Sequence, residues 1–249
     1  MILKDKTILV SGVGPGLGRE IASRVLRDGG NVVIGARKAE SLATAAKELD
    51  PSGERILAHA FDITDEDGCK AIIAAAEERF GRLDGLAQVA AAEPMGDLES
   101  TPLDDFRTAN EVNVIGTVQL VKAAAPAFER AGGGSVVLIG SQSTELPPPS
   151  PQLAYSASKG GVQAMTLPVA RDLAKDGIRV AAILPGLFHT PMFDGLPDEA
   201  RDALAASVPF PSRLGTPAEY AQLAISICEN VMLNGVNIRL DGAVRLAPR

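Results

Sequence analysis

Lys6-Thr7-Ile8-Leu9-Val10-Ser11-Gly12-Val13-Gly14-Pro15-Gly16-Leu17-Gly18 is the stretch that decides the fold of this 249-residue chain. An apolar, β-branched run over 6–11 has the length and composition of a buried strand. A glycine-rich turn closes it, and an amphipathic helical pattern over 16–28 follows at once. Glycines let the backbone turn tightly and approach a phosphate closely, while the free N–H groups and dipole at the helix start attract an anion. A glycine-rich turn alone is more often only a turn. Between the first strand and first helix of an α/β chain it reads as a pyrophosphate cradle.

The rest of the chain continues the alternation. Strand patterns recur at 31–36, 55–60, 85–90, 135–140, 178–184 and 236–240, and helical patterns at 39–49, 66–80, 103–131, 155–175 and 217–230. Val136-Val137-Leu138-Ile139 is apolar throughout, as a strand covered on both faces must be. The expected fold is α/β: one Rossmann-type, doubly wound, parallel seven-stranded sheet with helices on both faces. The chain is expected to form one domain over 1–249. Leu146-Pro147-Pro148-Pro149-Ser150-Pro151 reads as a loop, because the patterns on either side need each other to complete one sheet.

Composition narrows the partners. A 46% hydrophobic content allows a large core, and a net charge of -7 repels nucleic acid and anionic membrane, so neither is expected as a partner. The apolar stretch 180–188 is broken by Pro185 and Gly186, and the first strand begins almost at Met1, so neither a membrane span nor a signal peptide is expected. Cys69 and Cys228 lie far apart with no C-x-x-C spacing and no histidine cluster, which predicts no metal site, no disulfide and a reducing, cytoplasmic setting.

Chemistry is carried first by Tyr155-Ser156-Ala157-Ser158-Lys159. Four residues apart on a helix, Tyr155 and Lys159 share a face. An ammonium ~4 Å from a phenol stabilises the phenolate by roughly 4 kcal/mol at an effective dielectric of ~20, enough to bring a phenol from about 10 to near 7. That suits Tyr155 to acid/base work at neutral pH. At the end of the second strand pattern, Gly35-Ala36-Arg37-Lys38 offers no carboxylate for a ribose 2′-hydroxyl, whereas the Arg37 guanidinium suits a 2′-phosphate. NADP(H) is therefore expected over NAD(H). Asp62 stands where a carboxylate meets an adenine amino group, or where it caps the helix beginning near Asp65.

Taken together these residues resemble the short-chain dehydrogenase/reductase family over essentially the whole chain. Its Thr-Gly-x-x-x-Gly-x-Gly turn is matched by Ser11, Gly12, Gly16 and Gly18, its Asn by Asn113, its Ser by Ser141, and its Tyr-x-x-x-Lys pair by Tyr155 and Lys159. Pro185-Gly186 with Thr190 looks like the segment beside the nicotinamide, and Asn234-Gly235 with Asp241-Gly242 like the closing strand. The resemblance implies that Tyr155 exchanges the proton, Ser141 bonds the same substrate oxygen, and Lys159 tunes the tyrosine and holds the nicotinamide ribose. Asn113 would hold a water leading from Lys159 to solvent. Leu17, Ile63 and Ala90 would also touch the dinucleotide. Homo-oligomers, dimers or tetramers with homotetramer the expectation, are implied through the helices near 103–131 and 155–175.

Departures from the family pattern are local. Gln88-Val89-Ala90-Ala91 replaces Asn-Asn-Ala-Gly, and Ala243 replaces the second glycine of Asp-Gly-Gly. The stretch between Ser141 and Tyr155 is about one residue longer than usual, which keeps Ser143 as a second candidate for the serine role. The segment 187–212 is where a lid is expected. Its Phe188, Met192, Phe193, Leu196, Val208 and Phe210 suggest an apolar alcohol or ketone, or else packing onto the core or a second subunit. Ser141, Ser143, Tyr155, Phe188 and Met192 are the substrate-side candidates. His59 reads as a packed histidine and His189 as an exposed loop residue near the nicotinamide segment. The expected activity is alcohol/ketone interconversion. A dinucleotide-binding sensor or scaffold with little turnover is the alternative, motivated by Gln88-Val89-Ala90-Ala91.

Overall fold

In the computed structural model, residues 3–145 and 151–245 are described, except for the side chains of Met192 and Phe193. Seven strands form one wholly parallel sheet: β1 (Thr7–Ser11), β2 (Asn31–Ala36), β3 (Ile56–Ala60), β4 (Gly85–Gln88), β5 (Gly134–Ile139), β6 (Ile178–Pro185) and β7 (Asn237–Leu240). Their order is β3-β2-β1-β4-β5-β6-β7. The two halves wind outward in opposite directions from β1 and β4, so a crevice opens at the carboxyl ends of these two strands, where such sheets bind ligands.

Period-two alternation distributes the strand side chains between two cores. Ile8 and Val10 pack with α1 (Leu17–Arg27), α2 (Ala39–Leu49) and α9 (Pro217–Glu229) on one face. Leu9, between them, packs with α3 (Glu66–Phe80), α5 (Gly116–Ala131) and α6 (Leu153–Leu173) on the other.

All seven expected strands are present, and the differences fall at functional edges. The fourth ends at Gln88 rather than Ala90, because the N–H groups of Val89 and Ala90 both turn to the Ser11 carbonyl at 2.8 and 3.0 Å. Helix 103–131 is not uniform: α4 (Leu103–Asn110) and α5 are joined by a π-helical turn, Glu111–Ile115. Thr117 Oγ1 donates to the Asn113 carbonyl at 2.8 Å inside this widened turn, and such bulges recur at functional sites. Within 187–212, α7 (Pro191–Asp194) and α8 (Asp198–Ala206) are short helices that the sequence pattern did not separate from loop.

Candidate active site

The glycine-rich turn is held from below and open above. Gly12 has φ +92°, and a Cβ there would lie 2.3 Å from the Ala90 nitrogen, so only glycine fits. A Cβ on Gly18 would lie 2.5 Å from the Gly12 carbonyl oxygen, which is how closely α1 packs on the turn. Nothing of the protein comes within 4 Å of the space above Gly14, while Gly16 faces Thr190 Cγ2 at 3.8 Å. The cradle and the Pro185-Gly186 to Thr190 segment therefore stand opposite each other. Leu17 packs against the core, with its backbone at the start of α1.

Beyond the carboxyl end of β2, Arg37 is exposed and has no ion-pair partner among the described residues. Its charge does reach Asp62, whose Oδ1 accepts from Thr64 N and Thr64 Oγ1 at 3.0 and 2.8 Å. These bonds hold the Asp62 carboxyl below its usual range, with Arg37 adding to the effect. The cap of α3 belongs to Asp65, which accepts from Asp67 N, so Asp62 is not the helix cap. Ile63 is buried, and its carbonyl accepts from Gln119 Nε2 at 3.0 Å.

Gln88 accounts for the departure after β4. Its buried carboxamide donates to the Ala90 carbonyl at 3.0 Å and to Thr117 Oγ1 at 3.1 Å, and accepts from Ala90 N at 3.2 Å. One glutamine thus braces the turn that presses on Gly12 and ties β4 to α5. Replacing Gln88 with Ala removes all three bonds and the packing of the side chain, a loss of roughly 2–4 kcal/mol. Thermal unfolding of Gln88→Ala is expected about 5–15 °C below that of the unaltered chain. A change under 2 °C would show that the brace is dispensable.

Asn113 continues this network. Its Nδ2 donates to the Ala92 carbonyl and to Ser158 Oγ, both at 2.8 Å, and its Oδ1 accepts from Ala92 N at 2.8 Å. Ser158 Oγ donates in turn to the Tyr155 carbonyl at 2.7 Å. The carboxamide is a strut between the loop after β4 and the first turns of α6.

Ser141 ends in a different environment from Ser143. Its Oγ accepts from Ser143 N at 3.1 Å at the start of the short 3-10 turn Gln142–Thr144. That bond occupies a lone pair and leaves the hydroxyl proton to donate towards Tyr155. Among the described residues, Ser143 Oγ is buried without a partner, as are Gln142 Oε1, Ser11 Oγ and the Tyr220 hydroxyl.

Tyr155 and Lys159 come together on α6, but not with the electrostatics expected from their spacing. Lys159 Nζ lies 5.6 Å from the centre of the Tyr155 ring, over its face, and donates to the Ile139 carbonyl at 2.8 Å. Burial pushes the Tyr155 phenol well above its ordinary value, and the Glu93 carboxylate adds to this, while Ser141 pulls it down. The expectation that Lys159 brings the phenol near 7 is therefore corrected: the protein groups alone keep Tyr155 protonated. Desolvation is the reason, and it acts on both members of the pair. It lowers Lys159 to about 7, with Glu93 pulling the other way.

Between about 7 and the ordinary lysine value of 10.5, the unfolded chain keeps a proton on this group that the folded chain has released. Burial of Lys159 thus costs stability fully below about 7, and the cost is relieved as pH rises through that interval. The unfolding free energy in urea is expected to rise from pH 7 to 9 by more in the unaltered protein than in Lys159→Met. Identical slopes would contradict this.

On the substrate side, Phe188 turns into the core. Its ring meets Tyr220 edge to face at 6.0 Å and it is 6% exposed, so it packs on the core while one side of it lines the cavity beside it. A cavity of about 400 Å³ lies between this segment, 208–215, α9 and the end of β7. Met192 belongs to α7 by its backbone, and its side chain lies outside the described residues, as do Pro147, Pro148 and Pro149. Exposed His189 pairs with Asp194 at 3.2 Å. His59 is half-buried in β3, and Pro185 closes β6 beside Gly186, whose Cβ would meet Asp241 Cβ at 2.6 Å. Sequence reasoning missed Glu93, Gln152 and Tyr220. Glu93 carried a signal, as the one charge in Val89-Ala90-Ala91-Ala92-Glu93-Pro94-Met95; Tyr220 on its apolar helix face carried none.

The sequence model of the family described as short chain dehydrogenase matches residues 6–201. The chain belongs to the short-chain dehydrogenase family. This dehydrogenase is 39% identical over 99% of its length to 3-hydroxyacyl-CoA dehydrogenase type-2 of Bos taurus, of which 97% is covered. It is 29% identical to the 3-oxoacyl-(acyl-carrier-protein) reductase of Thermotoga maritima, over 98% of this chain and 99% of that one. A variant actinorhodin polyketide ketoreductase solved with NADPH superposes with a TM-score of 0.88 at 28% identity, over 96% of this chain and 98% of that one. L-Sorbose reductase from Gluconobacter frateurii gives 0.90 at 22% identity, over 100% and 99%, a likeness of fold. The dehydrogenase is an NAD(P)-dependent oxidoreductase that interconverts an alcohol and a ketone.

The residues fit a nicotinamide dinucleotide. The cradle is open over Gly14, and the buried hydrogen-bonding atoms of Ser11, Gln142 and Ser143 lack partners among the described residues around the carboxyl ends of β1 and β5. Among the described residues there is no group of three or more His, Cys, Asp and Glu that could hold a metal, and no helix long and apolar enough to cross a membrane.

Proposed function

We propose that the dehydrogenase reduces a neutral, apolar ketone to a secondary alcohol with NADPH in preference to NADH, and that 3-oxoacyl thioesters and related esters are its substrate class. The observation that carries this reading is the gathering of Ser141, Tyr155 and Lys159, with Lys159 Nζ 5.6 Å from the phenol ring and burial holding that phenol above its ordinary value. A protonated phenol is the form that donates to a ketone oxygen. The substrate class is supported by the 3-hydroxyacyl-CoA and 3-oxoacyl-(acyl-carrier-protein) enzymes to which the chain is similar.

In this mechanism the ketone oxygen accepts from the Ser141 hydroxyl and the Tyr155 phenol, and Tyr155 gives its proton as the carbonyl becomes an alkoxide. Lys159 holds the site's positive charge and orients the cofactor ribose. Asn113 is a positioning residue that fixes the loop after β4 to α6. Ser11, Gly12, Gly16, Leu17 and Gly18 take the pyrophosphate, Arg37 the 2′-phosphate, Asp62 and Ile63 the adenine, and Ala90, Pro185, Gly186 and Thr190 the nicotinamide half. When bound, the dinucleotide supplies the hydride.

The chain acts as one domain over 1–249, with 187–212 as the lid and Ser143 and Met192 on its substrate side. A groove of about 390 Å³ between α5 and α6, lined by Val121, Ala125, Met165 and Val169, supports self-association through these helices, as a dimer or homotetramer. A cytoplasmic setting accords with the two unpaired cysteines.

Thermal unfolding with saturating NADPH and, in parallel, NADH tests the cofactor reading. At ~100 times its dissociation constant a ligand adds about 2.7 kcal/mol, a shift of several degrees for this length. A larger shift with NADH would overturn the preference.

A further inference from the structure

The loop after β4 sets the Glu93 carboxylate against the start of α6, the helix that carries Tyr155 and Lys159, and the fold fixes it on both sides. Asn113 grips Ala92 through its N–H and its carbonyl, each at 2.8 Å. Glu93 follows directly, and its Oε1 accepts from Gln152 Nε2 just before α6. Gly96 then bonds the same segment twice, donating to the Pro151 carbonyl at 2.9 Å and accepting from Leu153 N at 3.1 Å. Glu93 is thus no loose surface carboxylate. It is half-buried, and its charge bears on both Tyr155 and Lys159.

We propose that Glu93 is a specificity-determining residue: its carboxylate offsets the Lys159 ammonium at the floor of the cleft and rejects substrates with a carboxylate beside the reacting carbonyl. The dehydrogenase then takes 3-oxo esters and thioesters and refuses the corresponding 3-oxo acids. The inference rests on the reading that Tyr155 marks the reacting oxygen. A buried ammonium alone would draw in an anionic substrate. With a fixed carboxylate beside it, the same anion meets a like charge it cannot escape by solvation, and such juxtapositions discriminate strongly between partners. Two carboxylates ~6 Å apart at an effective dielectric of ~20 repel by an amount equal to roughly a 100-fold loss of binding. Burial raises the Glu93 carboxyl above its ordinary value, and Lys159 and Gln152 pull it back down; the experiment is run at pH 6.5, below the value of about 7 at which Lys159 gives up its proton.

The test compares ethyl acetoacetate with acetoacetate, which differ in charge at the position concerned, using NADPH and both the unaltered enzyme and Glu93→Gln. The unaltered enzyme is expected to favour the ester by ~100-fold in kcat/KM, and the ester-to-acid ratio is expected to fall at least tenfold in Glu93→Gln. An unchanged ratio, an unaltered enzyme that reduces the acid as readily as the ester, or no turnover of the ester would each overturn the proposal. Retention of the NADPH-induced thermal shift shows that the variant is folded. If it is not, Glu93→Ala and the ratio in the unaltered enzyme decide. Failure of the underlying reading looks different: no ketone of any charge would be reduced with NADPH.

Discussion

Phenylalanine in place of Tyr155 is expected to lower kcat by about 10²–10⁴ while leaving the thermal shift with NADPH in place. The substitution deletes one hydroxyl from a half-buried side chain whose ring lies under Lys159 Nζ, so the packing of α6 is kept. What it removes is the proton donor. Ser141 cannot replace it, because a serine hydroxyl is a far weaker acid and its oxygen already accepts from Ser143 N. A Tyr155→Phe enzyme retaining more than a tenth of its kcat would show that another group supplies the proton. A variant that lost the thermal shift as well would show that Tyr155 serves binding rather than proton transfer.

Arg37→Asp is expected to shift the NADPH-to-NADH ratio of kcat/KM by about 10² or more towards NADH. An exposed guanidinium with no ion-pair partner among the described residues has its donors free for a phosphate, and charge-assisted hydrogen bonds of this kind contribute about 1.5–3 kcal/mol. Aspartate removes that contribution and adds repulsion of a phosphate, while its oxygens accept from a free ribose hydroxyl. Because Arg37 is exposed, the NADPH preference of the unaltered enzyme is also expected to weaken between 0.05 and 0.5 M salt, roughly the range over which exposed charges become screened. A ratio insensitive to Arg37→Asp would return Arg37 and Lys38 to an ordinary solvated pair at the start of α2.

The strands and the cradle were legible because their causes are local. Val136-Val137-Leu138-Ile139 must be buried on both faces wherever it lies, and Gly12 must be glycine because its backbone conformation excludes a side chain. The Tyr155 to Lys159 spacing likewise placed both side chains on one face of α6. The break in the helix over 103–131 was not legible. The π-helical turn at Glu111–Ile115 comes with bonds from Asn113 to Ala92 and Ser158, which lie 21 and 45 residues away along the chain. Gln88 looked like a loss in one dimension and is a brace in three, since Thr117 is its partner only once α5 lies against β4.

By itself, then, the sequence determined the parallel α/β sheet, the glycine-rich turn and the placing of Tyr155 and Lys159 on one helix face, all of which follow from backbone conformation and periodicity over a few residues. Only the tertiary structure decided the charge state of that pair. Whether a phenol and an ammonium four residues apart share a proton near neutrality depends on how much water burial removes from each and on which distant charge stands beside them. Here desolvation, with Glu93 adding to it, keeps Tyr155 protonated, and desolvation against the pull of Glu93 brings Lys159 to about 7.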